Sequence, residues 1–402
     1  MWVTWRAAMQ EALYGCRGFY ARGECPAAHF RTSVHASPRY AAAMLALLRD
    51  VDVSLGYPAR LDLVDVGAGR GELLAQMLAM ARHVPAGPAG PAPPSFPQRI
   101  VAHAVEITPR PEKLDPRIHW CRSVPSSITG LVIANEWLDN IPLDITELAA
   151  DGPRIMLVDT ATGAERPGPL ASPDDQAWLR RWWPLRHIGD RAEIGRTRCA
   201  AWAGVVGRVD RGVVVGADYG HVLASRPALG TLAGYQDGRP VRPIPDGSRD
   251  ITAHVAMDAC AAAGKAAACA AAGKAAAVAA AGYRGTSSET RLTTQREALR
   301  ALGLRGTRPP LTLARTDPSG YLAALRQASE EAELTDPGGL GGFIWLLQAV
   351  RVPLPASLGP VLADAVLADA VLADQPVLAD AGLADAGLAD QDAAPVELRV
   401  HG

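Results

Sequence analysis

The sequence predicts an α/β protein, a mostly parallel sheet with helices on both faces. Three observations predict it. Apolar β-type runs alternate with helical stretches. Several of these runs end in glycine-rich or polar turns, where open parallel sheets bind their ligands. The 402 residues are 49% hydrophobic, enough for a sizeable core in one large domain or two ordinary ones.

Along the chain, "WRAAMQEALYG" has helical spacing and stops at Gly15. "SPRYAAAMLALLRD" begins a second helix at the N-cap Ser37 with Pro38 in the first turn. A strand over 61–66, a glycine turn and a helix over 71–82 follow, then a Pro/Gly-rich loop at 84–99. "IVAHAVEIT" (100–108), "IHWCRS" (118–123), "GLVIANEWLDNIP" (130–142), "GVVVGADYGH" (212–221) and "GGFIWLLQAVRV" (341–352) read as further strands. The segment 145–205 carries four of the nine tryptophans and reads as an inserted subdomain.

Two tracts look like tandem duplications. "CAAAGKAAACAAAGKAAAVAAAGYRG" repeats a nine-residue unit, so 259–282 is expected to be one helix lengthened by copying. The tail repeats Leu-Ala-Asp every five residues, which builds no continuous stripe on a helix and alternates faces as a strand. It is expected to be disordered over 354–402. The expected organisation is therefore a helical covering segment 1–58, a ligand-binding core 59–144, the insert 145–205, the rest of the core 206–353, and the tail.

A net charge of −2 offers no electrostatic footprint for nucleic acid or an anionic membrane. No apolar run approaches the roughly 20 residues of a membrane span, and the N-terminus lacks a signal-peptide core, so a cytoplasmic location is expected. The six cysteines form no C-x-x-C pair and no zinc spacing. They are expected to be buried or half-buried thiols, and no metal site is expected.

"LDLVDVGAGRGELLAQML" joins a strand to a helix through Gly67, Ala68, Gly69 and Gly71. A dinucleotide fold wants a third glycine where this chain has Glu72, an anion set against a pyrophosphate at the helix N-terminus. The alternative is D-x-G-x-G-x-G, Asp65 to Gly71, the first motif of class I S-adenosylmethionine (SAM) methyltransferases. There Asp65 would receive the cofactor's cationic amine through the local backbone. Glu106 ends the next strand, followed by Ile107, and is placed to accept both ribose hydroxyls. Ser123 and Val124 stand where such folds wrap the adenine. Asn135, Glu136, Asp139 and Asn140 then crowd the carboxyl edge of another strand.

These motifs resemble the MidA-type SAM-dependent methyltransferases, whose mitochondrial relative is the arginine methyltransferase acting in respiratory complex I assembly. The resemblance covers about residues 8 to 350. It runs through "ALYGCRGFYARG", "HFRTS", the glycine motif, N-E-x-x-D-x-x-P at Asn135, Glu136, Asp139 and Pro142, and D-Y-G at Asp218 to Gly220. It continues through D-I-T-A-H-V at Asp250 to Val255, "TQREALRALG" and "GGFIWLL". One departure is Thr32-Ser33-Val34-His35, where the family has T-[AS]-P-E; His35 is expected at the surface of a loop.

The resemblance implies a class I, Rossmann-like methyltransferase with SAM as cofactor and a guanidinium of a protein substrate as acceptor. A guanidinium cannot first be deprotonated, so carboxylates must orient the planar cation instead. Glu136 and Asp139 are the candidates for that work, with Asn135 positioning the acid or the cofactor's amine. Asp218, Tyr219, Asp250 and His254 would complete the pocket. Two other readings stay open: a methyltransferase on a small molecule, and a SAM-binding assembly factor with little catalysis.

Overall fold

The computed structural model describes residues 1–20, 32–83, 95–278 and 289–359. Its centre is a seven-stranded sheet, whose strands we number in chain order: β1 Leu61–Val66, β2 Ile100–Val105, β3 Ile118–Cys121, β4 Ile128–Asn135, β5 Val209–Asp218, β6 Thr290–Thr294 and β7 Ile344–Val350. The spatial order is β6-β7-β5-β4-β1-β2-β3. The four pairings from β5 to β3 are parallel, while β7 runs antiparallel to both β5 and β6. The sheet is therefore mixed: six of its seven strands run the same way, in keeping with the expected mostly parallel sheet, and β7 is reversed.

Both faces are buried, and the strand sequences show why. Leu61, Leu63, Leu131, Ile133, Val213 and Val215 enter one core, while Val64, Val66, Val132, Ala134 and Val214 enter another. Alternation of two apolar sets along one strand is what a sheet sandwiched by helices requires. The first core is closed by helices α3 (Pro38–Ser54) and α4 (Glu72–Ala81). The second is closed by α5 (Pro173–Trp182), α6 (Arg196–Val206) and α7 (Met257–Val278). Helix α7 runs unbroken through two of the copied nine-residue units; residues 279–282, the end of the expected helix, lie outside the described residues.

A second, antiparallel sheet was not foreseen. It joins Trp2–Thr4 to Gly152–Asp159, Asp144–Ala149 and Arg191–Ile194, with Glu165–Leu170 added to Gly152–Asp159. Helix α1 (Trp5–Tyr14) buries Trp5, Met9 and Leu13 against Ile145, Met156 and Val158 of this sheet and against Ile251. That packing brings the end of α1 to the turn after β4, where the Tyr14 hydroxyl meets the Asn140 carbonyl.

The boundary drawn at 354 is also corrected. Leu354 and Leu358 are 9% and 0% exposed and belong to the main core. The Leu-Ala-Asp repeats from 360 onward lie outside the described residues. Cysteine burial is mixed: Cys199 and Cys260 are buried, but Cys16 and Cys269 are exposed and Cys121 is intermediate, while Cys25 is outside the described residues. No described helix is long and apolar enough to cross a membrane.

Candidate active site

The carboxyl ends of β1, β2, β4 and β5 meet at one edge of the sheet. At the end of β1 the backbone turns through Gly67, Gly69 and Gly71, all at positive φ (75°, 56° and 81°). A side chain on Gly67 would also collide, since a Cβ there would sit 2.8 Å from Cδ1 of Trp137. The glycines are thus required both by φ and by the indole packed over the turn. Ala68, between them, is buried.

Glu106 ties this turn to β2. One carboxylate oxygen accepts the Gly69 N–H at 3.0 Å, and the other accepts those of Ile107 at 2.7 Å and Thr108 at 3.0 Å. Burial nonetheless raises its pKa, against the pull of these backbone donors. Asp65, 4% exposed, has no side-chain hydrogen bond among the described residues. Burial, then the charges of Glu106 and Glu72, push its pKa up to about 7. Ser123 is exposed just past β3, and Val124 packs half-buried against the second core.

At the end of β4 a second network forms. Asn135 accepts from the Tyr40 hydroxyl at 2.7 Å and donates through Nδ2 to Glu136 Oε1 at 2.9 Å. The same Glu136 oxygen accepts the Ser33 N–H at 3.0 Å. Ser33 lies on the short helix α2 (Ser33–Ala36), which Gln295 anchors through a hydrogen bond from Nε2 to Ser33 Oγ at 3.1 Å. Glu136 itself sits at φ 52°, a left-handed conformation that costs a glutamate about 1 kcal/mol or more. Burial raises its pKa to about 7.

The departure at 32–35 thus keeps a contact with the site through the Ser33 N–H. His35 is not on a loop: it belongs to α2, with Nε2 3.5 Å from Glu72 Oε1 and Nδ1 2.7 Å from the Thr32 hydroxyl.

Asp139 and Asp218 have distinct parts. Asp218 Oδ2 accepts the N–H groups of Leu138 at 2.9 Å and Asp139 at 3.2 Å, which pins the turn after β4. Its other oxygen is buried without a hydrogen bond. Asp139 accepts from Thr252 Oγ1 at 3.0 Å and from Asn140 Nδ2 at 3.0 Å. Asp250 meets the Tyr20 hydroxyl at 3.5 Å, and burial, then Asp139, raise its pKa to about 7. Tyr20 stacks on Tyr14 at 5.5 Å, and Tyr14 donates to the Asn140 carbonyl at 2.9 Å. His254 is exposed, its ring stacked on Tyr219 at 5.9 Å.

Sequence reasoning missed Arg198, which is 1% exposed. Its guanidinium donates to the carbonyls of Ile141 at 3.1 Å, Ala253 at 2.8 Å and His254 at 3.1 Å, and to that of Asp139. It therefore sews the N-E-x-x-D turn to the Ala253–His254 link between the short strands Asp250–Thr252 and Val255–Ala256. A signal existed: Arg198 shares a helical stripe with the buried Ala201, Trp202 and Val205, an apolar face on which a charge needs an explanation. Trp137, over the glycine turn, was missed as well.

Residues 46–275 match the family model described as "Putative S-adenosyl-L-methionine-dependent methyltransferase". The chain belongs to this family. As a SAM-dependent methyltransferase it takes S-adenosylmethionine as its cofactor. Its fold is that of a COG1565 superfamily member from Burkholderia thailandensis bound to S-adenosyl-homocysteine. The two are 20% identical over 89% of this chain and 90% of that one, with a TM-score of 0.68. A second COG1565 superfamily structure from the same organism is 22% identical over 89% of each chain, with a TM-score of 0.66. No curated protein matches.

The residues present fit the cofactor. Beyond the effect of burial, the charges of Glu106 and Glu72 lie close enough to Asp65 to push its pKa up, so a ligand carrying an ammonium and a sulfonium relieves the crowding. The glycine turn leaves room for close approach of a ligand at Gly69, where a Cβ would meet nothing nearer than Glu72 at 3.8 Å. Glu106→Ala is expected to weaken SAM binding about ten- to a hundred-fold, the loss of a charged hydrogen-bonding group of about 1.5–3 kcal/mol. Calorimetry checks this, and an unchanged Kd would remove Glu106 from the cofactor site.

Proposed function

We propose that this methyltransferase, of the MidA type, acts on an arginine guanidinium of a protein substrate in the cytoplasm. One observation supports the acceptor class above the others. Glu136, Asp139 and Asp218 stand at one sheet edge with Asp250 close to Asp139, and Arg198 beside them spends its hydrogen bonds on carbonyls. A gathering of carboxyls of this kind, with the stacked Tyr14 and Tyr20 beside it, favours a planar cation.

Bound SAM supplies an electrophilic methyl carbon. The chain's own residues do the rest. Asp65 and the Gly67–Gly71 turn hold the ammonium end, Glu106 and Ile107 the ribose, and Ser123 and Val124 the adenine. Asn135, fixed by Tyr40, aims the Glu136 carboxylate; Glu136 and Asp139 orient the guanidinium in line for displacement. With a pKa near neutrality, Glu136 is also suited to take the proton that the methylated nitrogen sheds. Asp218 acts on the turn that carries Asp139. The test is transfer of label from SAM to arginine-containing peptides and lysate proteins, read by mass spectrometry. Label found on small molecules, or on no fraction at all, would favour the two other readings.

Binding should also be linked to protons. Asp65 is raised to about 7 in the free protein, and a nearby cation favours its charged form. SAM affinity is therefore expected to rise between about pH 6 and about pH 8, with proton release on binding near neutrality. Titrations in buffers of different ionisation enthalpy measure this release; identical apparent enthalpies would rule it out.

A further inference from the structure

Helices α6 and α7 approach closely in the second core. A Cβ on Gly264 of α7 would lie 2.6 Å from Nε1 of Trp202 on α6, so the glycine is what permits the approach. About one turn away, the same two helices bring Cys199 Sγ to 4.0 Å from Cys260 Sγ. Neither thiol contacts the residues proposed for methyl transfer, and nothing in that reaction uses them.

Their surroundings differ in a useful way. Cys199 is 9% exposed and Cys260 1% exposed, so an oxidant meets Cys199 first. A hydrogen bond with Cys260 lowers the Cys199 pKa, and Trp178 and Arg226 add to that against the effect of burial. The Trp178 Nε1–H is buried and has no hydrogen-bond partner among the described residues. Cys260 is shifted the opposite way, first by its bond with Cys199 and then by burial, and keeps its proton. In a dithiol of this kind the more accessible thiol, which gives up its proton more readily, attacks, and its buried neighbour resolves.

We infer that Cys199 and Cys260 are an oxidisable dithiol, a modification site at which a hydroperoxide closes a disulfide between α6 and α7. The Cys199 thiolate attacks the outer peroxide oxygen, the O–O bond breaks, and the alkoxide or hydroxide leaves and takes a proton. The resulting Cys199 sulfenic acid is attacked by the Cys260 sulfur; the S–O bond breaks, the S–S bond forms, and water leaves with the Cys260 proton. Two thiols and one hydroperoxide give one disulfide, one alcohol or water, and one water. A disulfide needs its sulfurs at about 2.05 Å, so they must close by roughly 2 Å. Since Cys199 follows Arg198, that movement pulls on the residue joining the two loops of the site.

The test uses the full chain treated with hydrogen peroxide, denatured, alkylated and digested. The expected product is a peptide pair joined through Cys199 and Cys260 and separated by dithiothreitol. Cys260→Ser, with its fold checked by circular dichroism, should leave a Cys199 sulfenic acid that dimedone captures. Disulfides running through Cys16, Cys25, Cys121 or Cys269 while Cys199 and Cys260 stay alkylatable would overturn the proposal, as would Cys260→Ser without dimedone label at Cys199. These readouts need no methyl acceptor, so they fail separately from the proposed methyl transfer.

Discussion

Replacing Glu136 by Gln should leave SAM binding nearly intact while methyl transfer falls about a hundred-fold or more, the scale of losing one preorganised electrostatic group. The side chain keeps its size and its acceptor oxygen for the Ser33 N–H, but loses the charge proposed to pair with the acceptor. A change below about 1 kcal/mol in SAM affinity is expected, since the interaction is made chiefly in the transition state. Calorimetry and single-turnover labelling measure the two quantities. Full activity in Glu136→Gln would transfer the assignment to Asp139 or Asp250.

The second large effect is expected at Arg198. Arg198→Met keeps much of the stem but leaves the carbonyls of Asp139, Ile141, Ala253 and His254 without this donor and strips the nearby carboxyls of their cation. Removing one partner from a buried charged network costs about 3–5 kcal/mol. A drop of several degrees in melting temperature should follow, with Arg198→Lys in between because it restores charge without the fork. A melting temperature within a degree of the parent in Arg198→Met would show that the two loops hold themselves.

Stability should also depend on pH through the same acids. Asp65, Glu136 and Asp250 have folded-state pKa values raised to about 7, above their unfolded values. The native state then holds more protons than the unfolded chain between roughly pH 4 and pH 7, and stability contributed by their neutral forms is lost as pH rises through that window. The cofactor-free protein should melt higher at about pH 6 than at about pH 8. Melting curves across that range decide it, and a rise toward pH 8 would contradict these shifts.

What could be read from the sequence was what local chemistry dictates. The Gly67–Gly71 turn announces itself because the backbone there needs positive φ at three positions. The strands of the main sheet carry their own two-residue alternation, and the polar set at 135–140 follows an apolar run directly. What stayed hidden depends on partners distant in the chain. The second sheet pairs Trp2–Thr4 with Gly152–Asp159, a contact no local pattern encodes. The reversal of β7 is set by its neighbours β5 and β6, and Leu358 was lost to the tail because a leucine before a repeat looks like part of it. Arg198 needed the positions of four carbonyls from two loops before its burial made sense.

The left-handed backbone at Glu136 bears on how such a chain would drift over generations. The fold disfavours this residue twice, through its φ of 52° and through the burial that resists its charge. A mutation to glycine would relax both and cost mainly the hydrogen bonds from Ser33 and Asn135. Loss of the acid would therefore meet little resistance from folding. A lineage released from the need to transfer methyl groups should shed Glu136 early and keep its architecture, leaving descendants that look like enzymes and are not.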